Sequence, residues 1–189
     1  MKLDDIQKGL SLSTHTSIDS AADSPAAESI SYPDEESKQA TEKAMALLLH
    51  KDRTARELKD RLFRAGFSES ASEFAFSYVS RYGYINDLRY ASGYIDYHKT
   101  SKSRNEIRRK LKEKGITEDV LAEAFASCEE ADDTDGTDPE TTALRALIAK
   151  RLKGRGIADL TYEEKQKQMR YLTGKGYPIE KIRREFSSH

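Results

Sequence analysis

Cysteine is almost absent from the sequence, and hydrophobic residues are few. Cys128 is the one cysteine among 189 residues, so an internal disulfide is excluded and a reducing compartment is expected. Hydrophobic residues make up 37% of the chain, while charged residues reach 34%. This composition favours several small hydrophobic cores over one large core.

Long apolar segments are also missing. No apolar run approaches the roughly 18 residues that a membrane-spanning helix needs. The acidic start of the sequence, Met1–Asp5, lacks the apolar region of a signal peptide. We therefore expect a soluble, cytoplasmic protein that has no membrane partner.

Residue types that carry catalysis or bind metals do not cluster in the sequence. The four histidines are far apart: His15, His50, His98 and His189. No histidine or second cysteine is near Cys128 in sequence, so neither a zinc site nor a thiol nucleophile is indicated. The acidic run at residues 129–135 lacks the spacing of a calcium loop, and no glycine-rich phosphate motif occurs. We expect a protein that is not an enzyme, without a cofactor or metal.

Charge is distributed unevenly, although the formal net charge is only −1. Residues 1–40 carry a net charge of −5, and residues 129–140 carry −7. Residues 41–128 carry +4, and residues 141–189 carry +7. A basic folded body attracts polyanions, whereas acidic segments repel them, so the distribution favours a polyanionic partner.

Helical periodicity begins near Ser37 and continues almost to the end, and no segment alternates as a strand does. Three Ser/Thr-x-x-Glu pairs are typical of capped helix starts: Thr54–Glu57, Ser103–Glu106 and Thr161–Glu164. Three glycines stand where helices should end: Gly66, Gly115 and Gly176. The sequence therefore predicts an all-α fold.

The same spacing recurs around these glycines and indicates an internal repeat. A leucine precedes each glycine by four residues, and a phenylalanine follows each by ten. The third repeat departs from the pattern, since Gln168 stands where the others have Leu58 and Ile107. The leading helices are expected at about Lys38–His50, Asn86–Lys99 and Asp138–Lys153. Stacked helical repeats of this kind form an elongated body.

These patterns divide the chain into five segments. Residues 1–38 are predicted to be a disordered acidic extension, because so polar a stretch cannot offset its ordering entropy. Residues 39–82, 83–128 and 138–189 are predicted to be three-helix repeats. Residues 129–137 are predicted to be an acidic linker.

Residues 82–91, Tyr-Gly-Tyr-Ile-Asn-Asp-Leu-Arg-Tyr-Ala, resemble the signature of the RecX family. The segments 56–67 and 107–116 support this resemblance, which covers about residues 41–186. It implies a tandem, curved array of three three-helix repeats that binds the RecA filament on DNA. RecX proteins generally inhibit filament growth, ATP hydrolysis and strand exchange, although some assist recombination. The resemblance thus implies a role in DNA repair, homologous recombination and the SOS response.

Two basic clusters are the candidate contacts to RecA or to the DNA backbone. The first surrounds Ile107 and Leu111 and includes Arg104, Arg108, Arg109, Lys112 and Lys114. The second ends the leading helix of the third repeat and comprises Lys150, Arg151, Lys153 and Arg155. Both could bind phosphates or an acidic protein groove. Both could instead be solvated helix faces that complement the helix dipole, and this interpretation is favoured for the second cluster.

Aromatic residues leave a similar choice. Tyr90, Tyr94 and Tyr97 share one helix stripe, which could stack on unpaired bases but more often packs in a core.

We expect a monomer that binds RecA and, weakly, DNA. Two alternatives remain, a direct DNA-binding protein and a helical scaffold for another protein. Salt-dependent DNA binding without RecA would favour the first, and affinity for neither would favour the second.

Overall fold

The computed structural model describes residues 31–131 and 138–187, which form nine α-helices and, within those residues, no strand. Repeat 1 comprises α1 (Glu35–His50), α2 (Ala55–Arg64) and α3 (Glu69–Arg81). Repeat 2 comprises α4 (Asp87–His98), α5 (Arg104–Glu113) and α6 (Glu118–Ala131). Repeat 3 comprises α7 (Pro139–Leu152), α8 (Tyr162–Gly174) and α9 (Ile179–Ser187). The all-α class and the three three-helix repeats are confirmed, while the domain boundaries stay a prediction.

Two helix ends differ from those expected. Helix α1 begins at Glu35 instead of Lys38, because the Asp34 carboxylate caps it by accepting the Ser37 N–H at 2.7 Å. Helix α6 continues to Ala131, so Glu129, where the linker was expected to begin, is helical. Residues 1–30 of the predicted extension and 132–137 of the predicted linker lie outside the described residues.

Each repeat has its own small core, formed where its three helices meet. The largest buried side chains of repeat 1 are Leu58, Leu62 and Val79, surrounded by alanines. Those of repeat 2 include Ile107, Leu111, Leu121 and Phe125. Those of repeat 3 include Leu144, Leu172, Ile182 and Phe186. In the described residues, no helix has the length and apolar character to cross a bilayer.

The three glycines end the middle helix of each repeat in the same way. Gly66, Gly115 and Gly176 have φ values of 91°, 91° and 89°, in the left-handed region that favours glycine. In each repeat, the N–H of the residue after the glycine donates to the carbonyl of the leucine four residues before the glycine. For example, the Ile116 N–H donates to the Leu111 carbonyl at 3.1 Å. This is the Schellman arrangement, and it turns the chain sharply towards the third helix.

The same type of hydrogen bond connects repeat 1 to repeat 2 and repeat 2 to repeat 3. The Thr54 hydroxyl of repeat 1 donates to the Lys114 carbonyl of repeat 2, and the Ser103 hydroxyl of repeat 2 donates to the Lys175 carbonyl of repeat 3, both at 2.7 Å. Both hydroxyl-bearing residues are 0% exposed. Each hydroxyl also accepts an N–H of its own helix, from Glu57 or Glu106. One capping residue therefore starts a helix and fixes the next repeat.

A carboxylate completes each of these joints. The Ala55 N–H donates to Asp87 Oδ1, and the Arg104 N–H donates to Glu140 Oε1, both at 2.9 Å. Asp87 and Glu140 lie at the start of the leading helix of the following repeat. Each therefore places its negative charge at the N-terminus of a neighbouring helix, where the helix dipole stabilises it.

Candidate partner-binding groove

A groove of about 600 Å³ lies beside the joint between repeats 2 and 3. One wall is the first half of α5, with Asn105, Glu106 and Arg109. The other wall is the end of α8, and its lining residues are Tyr171, Gly174, Lys175 and Gly176. We call this site the basic groove.

Close packing of α5 against Gly176 sets the geometry of the basic groove. The Asn105 side chain donates from Nδ2 to the Gly176 carbonyl at 2.9 Å. A Cβ atom at Gly176 would lie 2.9 Å from Ser103 Oγ, so a larger residue would push α5 away. Arg109, one turn after Asn105, and Lys175, next to Gly176, are therefore held on opposite walls.

The basic groove carries two cations that form no ion pair in the described part of the chain. Arg109 and Lys175 are exposed, and neither forms an ion pair within residues 31–131 and 138–187. Glu106 is the single acidic residue of the lining. Its carboxylate does not complete the capping box predicted with Ser103; only the hydroxyl half of that motif forms. The groove thus combines two available positive charges with one carboxylate.

Tyr171 links this groove to the second basic cluster. The Arg151 guanidinium lies 3.6 Å from the centre of the Tyr171 ring, and Lys175 Nζ lies 5.8 Å from it. Such cation–π contacts contribute about 0.5–1 kcal/mol at exposed sites. Arg151 Nε also donates to Gln168 Oε1 at 2.7 Å, which explains why a polar residue replaces the repeat's usual leucine or isoleucine. Tyr171 thus contacts Arg151 of the second cluster and also lines the groove that contains Arg109.

The rest of the first cluster is engaged within the protein. Arg104 pairs with Glu129 and lies 4.4 Å from the Phe125 ring centre. The Glu118 carboxylate forms ion pairs with two cations, Lys112 Nζ at 2.5 Å and Arg108 Nε at 3.5 Å. The hydrogen bond from Lys112 holds the pKa of Glu118 below its usual value. These exposed pairs are weak, so a partner could compete for them.

Lys114 belongs to the joint between repeats 1 and 2. Its Nζ lies 2.6 Å from Glu57 Oε1, and both side chains are about one-third exposed. Burial alone would lower the pKa of Lys114 and raise that of Glu57, but their mutual hydrogen bond and charge shift both pKa values the other way. Both groups therefore stay charged at neutral pH, and Lys114 serves packing between repeats.

The second cluster is divided in the same manner. Lys150 and Lys153 are exposed and have no ion pair in the described part of the chain, and Lys153 ends α7 with a φ of 50°. Arg155 makes a two-pronged contact with Glu164, at 2.9 and 3.2 Å. This hydrogen bond lowers the pKa of Glu164 to about 2. Arg155 therefore holds the start of α8, a contact that sequence reasoning did not anticipate.

Sequence reasoning missed Tyr171 and Lys175 as site residues. Lys175 precedes Gly176 as Lys114 precedes Gly115, so aligning the repeats on their glycines would have identified it. The tyrosine stripe of α4 behaves mostly as predicted, since Tyr90 and Tyr94 pack against the core of repeat 2. Tyr97, by contrast, is 80% exposed. Among the described residues, no group of three histidine, cysteine or acidic side chains could hold a metal.

Comparisons with known families agree with the repeat pattern. The family model for "RecX, second three-helix domain" matches residues 86–124, and "RecX, third three-helix domain" matches residues 138–185. The Regulatory protein RecX of Vibrio parahaemolyticus is 30% identical over 143 residues, which cover 75% of this chain and 85% of that protein. That of Amycolatopsis mediterranei is 32% identical over 148 residues, covering 77% and 80%.

Other relatives are longer than this chain. The Regulatory protein RecX of Clostridium perfringens is 30% identical over 125 residues, and the match spans only 56% of its length. The crystal structure of RecX from Lactobacillus salivarius superposes with a TM-score of 0.65 over 82% of this chain and 98% of that one. At 20% identity, this likeness supports the fold alone. Taken with the Vibrio and Amycolatopsis relatives, these matches show that the chain belongs to the RecX family of regulatory proteins.

Proposed function

We propose that this protein binds the RecA filament and inhibits its ATP hydrolysis, growth and strand exchange, acting in DNA repair, recombination and the SOS response. Membership of the RecX family supports the partner, and the name "regulatory protein" of its relatives fits a role in binding instead of catalysis. The observation that carries the proposal is the basic groove, where Arg109 and Lys175 line opposite walls and neither forms an ion pair within the described residues.

The basic groove suits a polyanionic filament. DNA phosphates and acidic protein grooves both attract exposed cations, and a fixed arrangement lowers the entropy lost on binding. The joint at Ser103 and Gly176 fixes the two walls, while Tyr171 orients Arg151. A body of three connected repeats bound in this way would obstruct the addition or movement of RecA subunits.

The test is RecA's DNA-dependent ATP hydrolysis, with increasing amounts of this protein added to preformed filaments. We expect a dose-dependent fall at amounts well below those of RecA. The double variant Arg109→Glu, Lys175→Glu should need on the order of tenfold more protein for the same effect, because two charge contacts become repulsive. The matched control, Lys38→Glu with Lys110→Glu, makes the same charge change at two exposed lysines outside the groove and should behave like the parent. If the unaltered protein neither slows hydrolysis nor binds filaments, the proposed function is wrong.

Direct DNA binding is the second candidate, favoured by the net charge of +7 over residues 141–189 and by the mixture of cations with Tyr171. Titration of labelled single-stranded DNA at 50 to 200 mM salt, with RecA absent, separates the two. Tight binding that weakens steeply with salt would favour a DNA-binding protein. Weak binding beside strong inhibition would favour the RecA regulator, and affinity for neither would favour a scaffold.

A further inference from the structure

Repeat 1 carries a copy of the surface on which the other repeats are joined, and no described residue occupies it. Gly66 has the φ of Gly115 and the same backbone turn, yet a Cβ atom there would meet no atom of the described residues within 4 Å. The carbonyls of Lys114 and Lys175 each accept a hydroxyl from the preceding repeat. No hydrogen bond to the equivalent carbonyl, that of Ala65, occurs among residues 31–131 and 138–187.

The exposed side chains of the last turn of α2, which precedes this carbonyl, are chemically distinct from those of the other repeats. Phe63 is 76% exposed, although the equivalent positions of repeats 2 and 3 are the polar Lys112 and Thr173. Arg61 and Arg64 are exposed as well, and no ion pair engages either of them in the described part of the chain. We call Arg61, Phe63, Arg64, Ala65 and Gly66 the open joint face.

Both occupied joints receive the same kind of group. At each one, the N-terminus of a helix arrives with a Ser or Thr cap, whose hydroxyl donates to the carbonyl before the glycine. In the first joint, the capping Glu57 also pairs with Lys114, the cation of that carbonyl's residue. An arriving helix of this type would find at the open joint face a free carbonyl, two arginines and an apolar ring.

We propose that the open joint face receives the N-terminus of a helix from a RecA subunit, one that starts with Ser or Thr and has an acidic first turn. This inference rests on the proposed function for the identity of the partner. The cap hydroxyl would donate to the Ala65 carbonyl, the acidic residues would pair with Arg61 and Arg64, and an apolar side chain would cover Phe63.

A second copy of this chain fits the open joint face less well. Its unused capping box, Thr161 with Glu164, lies at the start of α8 in repeat 3. Glu164 is already held by both prongs of Arg155 in its own repeat, whereas Glu57 reaches a cation of the next repeat. Repeat 3 thus supplies internally the cation that a further repeat would provide. Self-association would have to compete with that contact.

The first experiment measures filament binding and inhibition by the full chain carrying Phe63→Ala and Arg64→Glu. We expect at least a fivefold rise in the concentration that gives half-maximal inhibition of RecA. The matched control, Leu49→Ala with Lys38→Glu, removes another exposed apolar side chain and reverses another exposed cation of repeat 1. Equal inhibition by the two variants would overturn the open joint face and leave the proposed function intact. Absence of both inhibition and filament binding by the parent protein would overturn both.

The second experiment identifies the occupant. Phe63 is replaced by the photoreactive residue p-benzoylphenylalanine, and the full chain is irradiated on RecA filaments assembled on single-stranded DNA. Mass spectrometry should place the cross-link in the first turn of a RecA helix that begins with Ser or Thr. A cross-link to DNA, to a second copy of this chain, or to a RecA strand or loop would overturn the proposal.

Discussion

Thr54 and Thr161 are the same residue in the same capping box, but their surroundings differ. In both, the threonine hydroxyl accepts the N–H of a glutamate three residues later, and the carboxylate of that glutamate accepts the N–H of the threonine. Thr54 is fully buried and also donates to Lys114 O, whereas Thr161 is exposed. Comparison of the two residues therefore separates the contribution of a helix cap to the free energy of unfolding from the contribution of a joint between repeats.

We expect Thr161→Ala to lower the free energy of unfolding by about 1 kcal/mol, the usual loss of a cap. Thr54→Ala should cost about 2–4 kcal/mol, because it also leaves the buried Lys114 carbonyl without a donor. Urea unfolding followed by circular dichroism measures both. Equal losses would mean that the Thr54 hydroxyl contributes to α2 alone and not to the joint.

The contact between Arg155 and Glu164 predicts a dependence on acid pH. The hydrogen bond from Arg155 lowers the pKa of Glu164 from 4.5 to about 2 in the folded protein. The stabilisation is therefore fully present above pH 4.5 and is lost as the pH falls towards 2. As the pH falls from 4.5 towards 2, the free energy of unfolding should decrease less for Glu164→Gln than for the parent protein. Urea midpoints from pH 6 to 2.5 measure this, and Glu163→Gln in the same helical turn should retain the parent's slope.

At the scale of elements, the glycines that end α2 and α5 share a backbone conformation but not their neighbours. Gly66→Ala should cost about 1 kcal/mol, the strain of a left-handed conformation. Gly115→Ala introduces the same backbone strain and also places its Cβ 2.5 Å from Arg56 Cβ. That Cβ atom cannot move away unless α2 moves with it. We expect about 2–4 kcal/mol in total at Gly115. Equal urea midpoints for the two variants would show that the repeats separate easily at this joint.

The helices could be predicted because their signals are local. A capping hydroxyl, a glutamate three residues on and a closing glycine act within a few residues, so Thr54, Glu57 and Gly66 mark α2 by themselves. The end of α6 could not be predicted in this way. Acidic residues oppose the dipole at a helix C-terminus, and the helical Glu129 is accommodated by Arg104 of a different helix.

The candidate site was only partly predictable, for the same reason. Counting charges along α5 finds the cations but does not find Glu118 and Glu57, which lie on other helices and pair with Lys112 and Lys114. Arg109 forms no ion pair with a carboxylate of the described residues, although its charge helps to lower the pKa of Glu113. The pairing of charges across helices is a tertiary property, so sequence predicts a basic cluster, whereas the fold determines which of its cations remain outside ion pairs.

In the whole molecule, some cations are engaged in ion pairs at helix starts, whereas others form no ion pair within the described residues and remain available to partners. Lys114 and Arg155 are bound to Glu57 and Glu164 at helix starts. The cations of the basic groove and of the open joint face form no ion pair in the described part of the chain. Acidic partners would therefore meet two separate positive surfaces, one beside repeat 3 and one on repeat 1.

The acidic N-terminal segment should weaken binding to DNA by long-range repulsion. Residues 1–30 contain five acidic and two basic side chains, a net charge of −3, opposite in sign to residues 41–128. Deleting residues 1–30 should raise the affinity for single-stranded DNA at 50 mM salt by a few fold, and the difference should shrink near 0.5 M as screening increases. Fluorescence anisotropy with labelled DNA measures this.

The matched variant keeps the length of the segment and changes its five acidic residues to Asn or Gln. Charge repulsion predicts that this variant binds DNA as the deletion does, because both remove the same negative charges. If the deletion raised affinity and the neutralised segment did not, the segment would act by occupying space. If both left the affinity at 50 mM salt unchanged, the acidic segment would have no part in restraining DNA binding.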